Sequence, residues 1–167
     1  MMKTDYEIRR AEVRDGDGLL SLISGLAEYE NLEPPDEKAR QRLLEDAFGE
    51  VPKFEAWLAF VPEREEAVGM VVLLSTYSTF LARPSLYIED VFVFPEFRGR
   101  GIGGALLRKA VELARERGCG RVEWTALDWN VNAQKVYEEK MGARHMKEWF
   151  LYRMTGVEMD RFLSAGG

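Results

Sequence analysis

The sequence predicts a mixed α+β fold, in which helices flank a largely antiparallel central sheet and residues 1–167 form a single domain. Three observations carry that expectation. Strand-like and helix-like periodicities alternate in the order βααβββαβαβ(β)α, so three strands run in succession before the first β-α-β unit. A chain of 167 residues is one domain's worth and can bury a substantial core. No repeat, low-complexity tract or interdomain linker divides it.

The first strand is expected over 6–10. Asp15 or Asp17 can cap the helix that follows, whose apolar positions Leu19, Leu22, Ile23 and Leu26 share one face. That helix ends near Tyr29-Glu30-Asn31, because Pro34 and Pro35 prevent continuation. Asp36 caps a second helix through Ala47, with Ala39, Leu43, Leu44 and Ala47 inward and Gly49 closing it. Strands are expected over 54–61 and 67–77, joined by a charged turn at 62–66. Residues 78–85 have no periodicity and read as a loop. A central strand over 86–94 follows, stopped by Pro95. The helix after it runs from Ile102 towards Arg117, with Ile102, Ala105, Leu106, Ala110, Leu113 and Ala114 inward and Gly118 at its end. A strand over 121–127 comes next. Asn130 caps a helix carrying Val136, Tyr137 and Met141 that Gly142 ends, and a late strand is expected over 149–154. Thr155-x-x-Glu158 is a capping-box pattern that opens a terminal helix with Met159, Phe162 and Leu163.

The central strand, the turn and the next helix form the stretch VFVFPEFRGRGIGGALL. Gly99, Gly101, Gly103 and Gly104 lie within six positions, between a strand and the start of a helix. Such a turn points unpaired backbone N–H groups at an anion, and glycine permits close approach and φ > 0. Arg98 and Arg100 add positive charge. A P-loop is excluded, because no Lys-Ser or Lys-Thr follows these glycines. Gly99-x-Gly101-x-x-Gly104 satisfies the dinucleotide fingerprint literally, with Glu123 near the acidic position. That fingerprint, however, places its first glycine straight after the strand and needs more chain than follows here. A glycine-rich connection with no ligand is the bland alternative.

Composition narrows the remaining classes. Apolar residues make up 46% and charged residues 31%, ordinary for a soluble globular chain. Twenty-three Lys and Arg against twenty-nine Asp and Glu give a net charge of −6. That argues against nucleic-acid and anionic-membrane binding and favours cationic partners, although a merely soluble acidic surface accounts for it equally well. One cysteine, Cys119, permits no internal disulfide, and one histidine, His145, argues against a zinc site, so no metal is expected. No apolar run reaches membrane-spanning length and the start lacks a signal-like core, so a cytoplasmic location is expected.

Arg98-Gly99-Arg100-Gly101-Ile102-Gly103 matches the R/Q-x-x-G-x-G/A signature of the GCN5-related N-acetyltransferases (GNAT), between strand and helix as that family has it. YIEDVFVFPEFRGRGIG, LDWNVNAQKVYEEKMGA and LAEYENLE resemble the diamine and thialysine N-acetyltransferase branch, and the likeness runs from about Ile8 to Leu163. The resemblance implies an acetyl-CoA-dependent enzyme acting on a small amine, and a homodimer. It also implies a sheet whose central strand splays from the following parallel strand to admit coenzyme A.

Residue by residue, the resemblance assigns the backbone of Val91, Phe92 and Val93 to the pantetheine arm, with the Val93 N–H polarising the thioester carbonyl. Arg98, Gly99, Arg100, Gly101, Ile102, Gly103 and Gly104 take the pyrophosphate, and Asn130 and Ala133 flank the pantetheine. Lys140 is assigned to the adenosine phosphates, where the bland reading is a solvated surface lysine. Alternation puts Tyr87, Glu89, Val91 and Val93 on one face and Asp90 on the other, so Glu89 is the expected base, ammonium anchor or both. Position alone allows Glu89 to be merely a surface ion-pair partner. Tyr137, in N-x-x-A-x-x-x-Y, is the expected acid, where a Tyr on an amphipathic helix is otherwise a core residue.

Tyr29, Glu30, Ser78, Thr79, Glu123, Trp124 and Thr125 match acceptor contacts. Ser78 and Thr79 stand where the polyamine enzymes carry an acid, and Leu127-Asp128-Trp129-Asn130 also points to the thialysine branch. A small length difference in this loop leaves Ser78 and Thr79 without a unique assignment. The expected reaction is acetylation of a thialysine-like or lysine-like amine. Polyamine and protein acetylation are the alternatives within enzymes, and an acyl-CoA-sensing module is the alternative outside them.

Overall fold

The computed structural model describes residues 5–165, which fall into two compact units, one up to Thr125 and one from Ala126 onward. The first unit is built on a five-stranded sheet in the order β1-β2-β3-β4-β5. Its strands are β1 (Glu7–Arg10), β2 (Glu55–Val61), β3 (Arg64–Ser78), β4 (Arg83–Val93) and β5 (Val122–Glu123). Every neighbouring pair is antiparallel except β4 with β5. The mixed, largely antiparallel sheet expected from the sequence is therefore present.

Helices α1 (Gly16–Tyr29) and α3 (Ile102–Glu116) pack against β3 and β4, while α2 (Glu37–Phe48) packs against α1. Leu19 and Leu22 of α1 are buried with Met70, Val72 and Phe92, the even-numbered side of the two central strands. The odd-numbered side faces α3, where Gly69, Val93 and Leu106 meet. Ile102, Leu106, Leu107, Ala110, Leu113 and Ala114 are the buried stripe of α3, so Leu107 joins the expected set while Ala105 is only half-buried.

Three expectations for this unit change. Asp15 does not cap α1 with its side chain. Its carboxylate instead accepts two hydrogen bonds from Arg9, at 2.7 and 2.8 Å, and one from the Glu12 N–H, which hold its pKa below the ordinary carboxylate value. The expected loop over 78–85 is a hairpin, because Ser78 pairs with Arg83 and only four residues turn between them. Ala82, at φ 49°, supplies the left-handed step there that glycine usually provides. The strand expected over 121–127 shrinks to Val122–Glu123, which pairs only with Leu86 and Tyr87.

The second unit contains α4 (Val131–Lys135), a π turn (Val136–Lys140) and α5 (Gly156–Ala165). Gly142, at φ +68°, ends the first helical stretch, and the Glu158 carboxylate accepts from the Thr155 N–H at 2.8 Å as the capping-box pattern predicts. The strand expected over 149–154 does not form. Trp149, Phe150, Leu151, Tyr152 and Met154 are 50–86% exposed, and apolar β-propensity makes a strand only where another strand offers it an edge. Among the described residues no helix is long and apolar enough to cross a membrane.

Candidate active site

The glycine turn leaves β4 through a short 3₁₀ turn, Pro95–Phe97, and enters α3 at Ile102. Gly99 and Gly101 have φ of +78° and +83°, so any other residue there would be strained. Gly101 also occupies the N-cap of α3 and provides no side-chain cap, which leaves the N–H groups of Ile102, Gly103 and Gly104 without intrahelical partners. A Cβ at Gly104 would meet nothing within 4 Å, and one at Gly103 would meet only Val93 at an ordinary 3.8 Å. Packing therefore gives no reason for these two glycines at a helix start. Open space above outward-pointing N–H groups fits an approaching phosphate.

The adjoining edge of β4 is open. The Phe94 N–H donates to the Val68 carbonyl of β3 at 3.0 Å, so alternation turns the Val93 N–H and C=O the other way. Because β5 stops at Tyr87's partner, Val91 and Val93 have no strand on that side among the described residues. The edge of β4 beyond Tyr87 is thus unpaired by β5, and the Val93 N–H lies on that edge. The Val93 carbonyl accepts from Arg98 Nε at 2.9 Å. The Arg98 guanidinium carbon also lies over the Tyr29 ring, 4.8 Å from its centre, and 5.5 Å from the centre of Phe92. Arg100 is ion-paired with Glu63 of the β2–β3 turn, a partner the sequence reading missed.

A β-bulge corrects the expected face of the acidic pair. Val72 pairs with Asp90 but Leu73 pairs with Ile88, so Glu89 is the extra residue of β4. Asp90 consequently shares a face with Phe92 and Tyr87 rather than pointing away from the site, because their partners Val72, Met70 and Leu74 alternate along β3. Burial, then the charges of Glu89 and Glu30, push the Asp90 pKa up to about 6. The charge of Glu30, at the C-terminal end of α1, thus reaches Asp90. Asp90 is the residue that sequence alternation discarded; no local signal marks the bulge.

The remaining acceptor candidates spread along the same strands. The Tyr87 hydroxyl lies 3.5 Å from Thr125 Oγ1, while Glu123 pairs with Arg121 at 3.0 Å and Trp124 is half-buried. Thr79 is exposed at the hairpin tip. Ser78 is buried, and its hydroxyl accepts from the Leu81 N–H at 3.2 Å, so it shapes the turn.

In the second unit, Asn130 Oδ1 accepts from the Ala133 N–H at 3.3 Å and caps α4 as expected. Tyr137 falls in the π turn, half-buried; the Met141 N–H reaches back five residues to the Val136 carbonyl. Lys140 is exposed at the end of that turn.

Comparison with known proteins decides the family. The family model described as "Acetyltransferase (GNAT) family" matches residues 22–143. The chain belongs to the GNAT acetyltransferases. A thialysine N-epsilon-acetyltransferase of Bos taurus is 35% identical over 161 residues, covering 91% of this chain and 94% of the relative. A human spermidine/spermine N(1)-acetyltransferase-like protein 1 is 29% identical over 162 residues, covering 92% of this chain but 23% of that protein. Among solved structures, an integron cassette protein from the mobile metagenome of V. cholerae superposes with a TM-score of 0.82 at 22% identity, covering 98% of this chain and 100% of that one. That likeness concerns the fold alone, and the relatives identify this chain as an N-acetyltransferase.

Proposed function

We propose that this GNAT enzyme transfers the acetyl group of acetyl-CoA to the side-chain amine of a small diamino acid of the thialysine or lysine type. The observation that carries the reading is one unit holding both a cradle of N–H donors at the glycine turn and, on the adjoining strand, the carboxylates Glu89 and Asp90, with the charge of Glu30 at the end of α1 reaching Asp90. A donor cradle suits a pyrophosphate and a carboxylate cluster suits an ammonium. Near-full-length similarity to a thialysine enzyme, at 35% identity, supports the acceptor class.

When bound, acetyl-CoA supplies an already activated acyl group, so the chain's own residues have to deliver a neutral amine and orient it. A lysine-type ammonium has a pKa of ~10.4, and forming the free amine at pH 7 costs roughly 4.6 kcal/mol. Glu30 and Asp90 hold the ammonium, and Glu89, exposed at the bulge, accepts its proton directly or through water. The Val93 N–H on the open edge of β4 is the donor that polarises the reacting carbonyl. Tyr137 Oη gives a proton to the departing sulfur and recovers one from solvent. In the same reading, Asn130, Ala133 and Lys140 border the cofactor. The protein works as a single domain, as a homodimer and in the cytoplasm.

The acceptor is tested by kcat/KM for thialysine, lysine, spermidine and spermine at fixed acetyl-CoA and pH. Thialysine or lysine is expected to lead, because Ser78 and Thr79 offer no carboxylate for a polyamine's further ammonium. A missing charge-assisted contact costs ~1.5–3 kcal/mol. Spermidine leading by tenfold or more, about 1.4 kcal/mol in transition-state binding, would refute the assignment.

A further inference from the structure

We propose that Arg98 is a positioning residue for the acceptor end of the site, fixing the Tyr29 ring and the terminus of β4, and is not a phosphate ligand of the glycine turn. The inference rests on the acetyltransferase reading above and reassigns one residue within it. Arg98 immediately precedes the first glycine, where its charge alone suggests an anion contact. Its geometry points elsewhere. Nε–H is committed to the Val93 carbonyl at 2.9 Å, five residues back along the chain. The guanidinium carbon lies 4.8 Å from the centre of Tyr29 and 5.5 Å from that of Phe92, two rings that themselves stand 6.4 Å apart.

Those contacts close an aromatic run that reaches from the end of α1 to the turn. Phe92 meets Phe94 edge-on at 5.6 Å, and Gly25 of α1 lets both rings approach: a Cβ there would lie 2.9 Å from Phe94 and 3.0 Å from Phe92. Tyr29, one residue before Glu30, is the outer member of the run, and Arg98 covers a face of its ring. Two consequences follow for the reaction. An ammonium substrate cannot use that covered face as a cation–π surface, so the charge that meets the acceptor comes from the carboxylates. At the same time Arg98 donates to the Val93 carbonyl and leaves the Val93 N–H as the edge donor of that residue, so the strand presents a donor where a carbonyl has to be polarised. Turning the whole guanidinium away from β4 towards a phosphate would break the Val93 bond and the contact with Tyr29 together.

Arg98→Lys and Arg98→Gln separate the two roles. Lysine keeps the charge a phosphate needs but lacks both the planar face and the fixed Nε–H. Glutamine keeps an amide donor and loses the charge. Two quantities are measured on folded protein: the calorimetric Kd for coenzyme A without amine, and the KM for thialysine or lysine at saturating acetyl-CoA. Both variants are expected to keep the coenzyme A Kd within about threefold, while the amine KM rises roughly tenfold, the loss expected of a partly desolvated cation–π contact. In a Tyr29→Leu background, Arg98→Lys should add little further to the amine KM, because the partner ring is already gone. A coenzyme A Kd weakened tenfold or more with the amine KM unmoved would restore the phosphate role and overturn the proposal. Additive effects of Tyr29→Leu and Arg98→Lys on the amine KM would also overturn it. If unmodified protein fails to bind coenzyme A at all, the cofactor reading falls and this inference falls with it; binding with no amine effect in either variant removes this inference alone.

Discussion

Asp90 is half-buried, and burial followed by the charges of Glu89 and Glu30 raises its pKa from 3.8 to about 6. The folded state therefore holds the proton more tightly than the unfolded chain does between those two values. Stability contributed by the protonated form is complete below pH 4 and is lost as pH rises through about 6. Asp90→Asn removes the ionisation. It should raise stability at pH 7.5 by on the order of 2 kcal/mol, leave it nearly unchanged at pH 4, and raise the amine KM. Equal melting temperatures for the two proteins at both pH values would show that Asp90 carries no such burden. Tyr137→Phe asks a different question, since it deletes one hydroxyl from a half-buried ring in the π turn. Turnover should fall by about 10²–10⁴ with cofactor affinity kept. An unchanged kcat under rate-limiting chemistry would make Tyr137 a packing residue.

At the scale of elements, the glycine turn allows fold and ligand roles to be pulled apart. Gly101 is demanded by its backbone, at φ +83°, so Gly101→Ala should destabilise by about 1–2 kcal/mol whatever binds there. Gly104 sits inside the first turn of α3 with open space where a Cβ would go. Gly104→Ala should therefore leave stability equal or raise it by up to about 1 kcal/mol, while weakening acetyl-CoA binding. Denaturant melts and calorimetry on the same protein check both halves, and undiminished cofactor affinity would leave that glycine without a ligand to explain it. The turn was legible in the sequence because strand, glycines and helix are adjacent and each leaves its own mark. The face of Asp90 was not, because a bulge is a relation between β4 and β3 and leaves no trace in β4 alone. The same limit explains residues 149–154, whose pattern specifies a strand but names no partner. It also explains the hairpin at 78–83, where Ala82 takes a left-handed step without a glycine to announce it.

At the scale of the whole molecule, a net charge of −6 has to coexist with an anionic cofactor and a cationic acceptor. The long-range field favours the amine and opposes the phosphates, so cofactor affinity has to come from short-range groups: helix N–H donors and an open strand edge. Such contacts exist only in the folded state, and acetyl-CoA should therefore stabilise the protein by linkage. At a hundredfold excess over its dissociation constant the gain is ~2.7 kcal/mol, or roughly 5–10 °C in Tm for a chain of this size. NAD is the informative control. It too carries a pyrophosphate joined to adenosine, and the turn's Gly99-x-Gly101-x-x-Gly104 spelling admits it on paper. Yet no second β-α-β half exists among the described residues to hold its other nucleotide, and NAD has no arm to lie along β4. Thermal melts at matched ligand concentrations should show a shift with acetyl-CoA and none with NAD. Equal shifts would mean that the turn reads only a pyrophosphate and that the open edge of β4 adds nothing, while a shift with NAD alone would remove acetyl-CoA from the site.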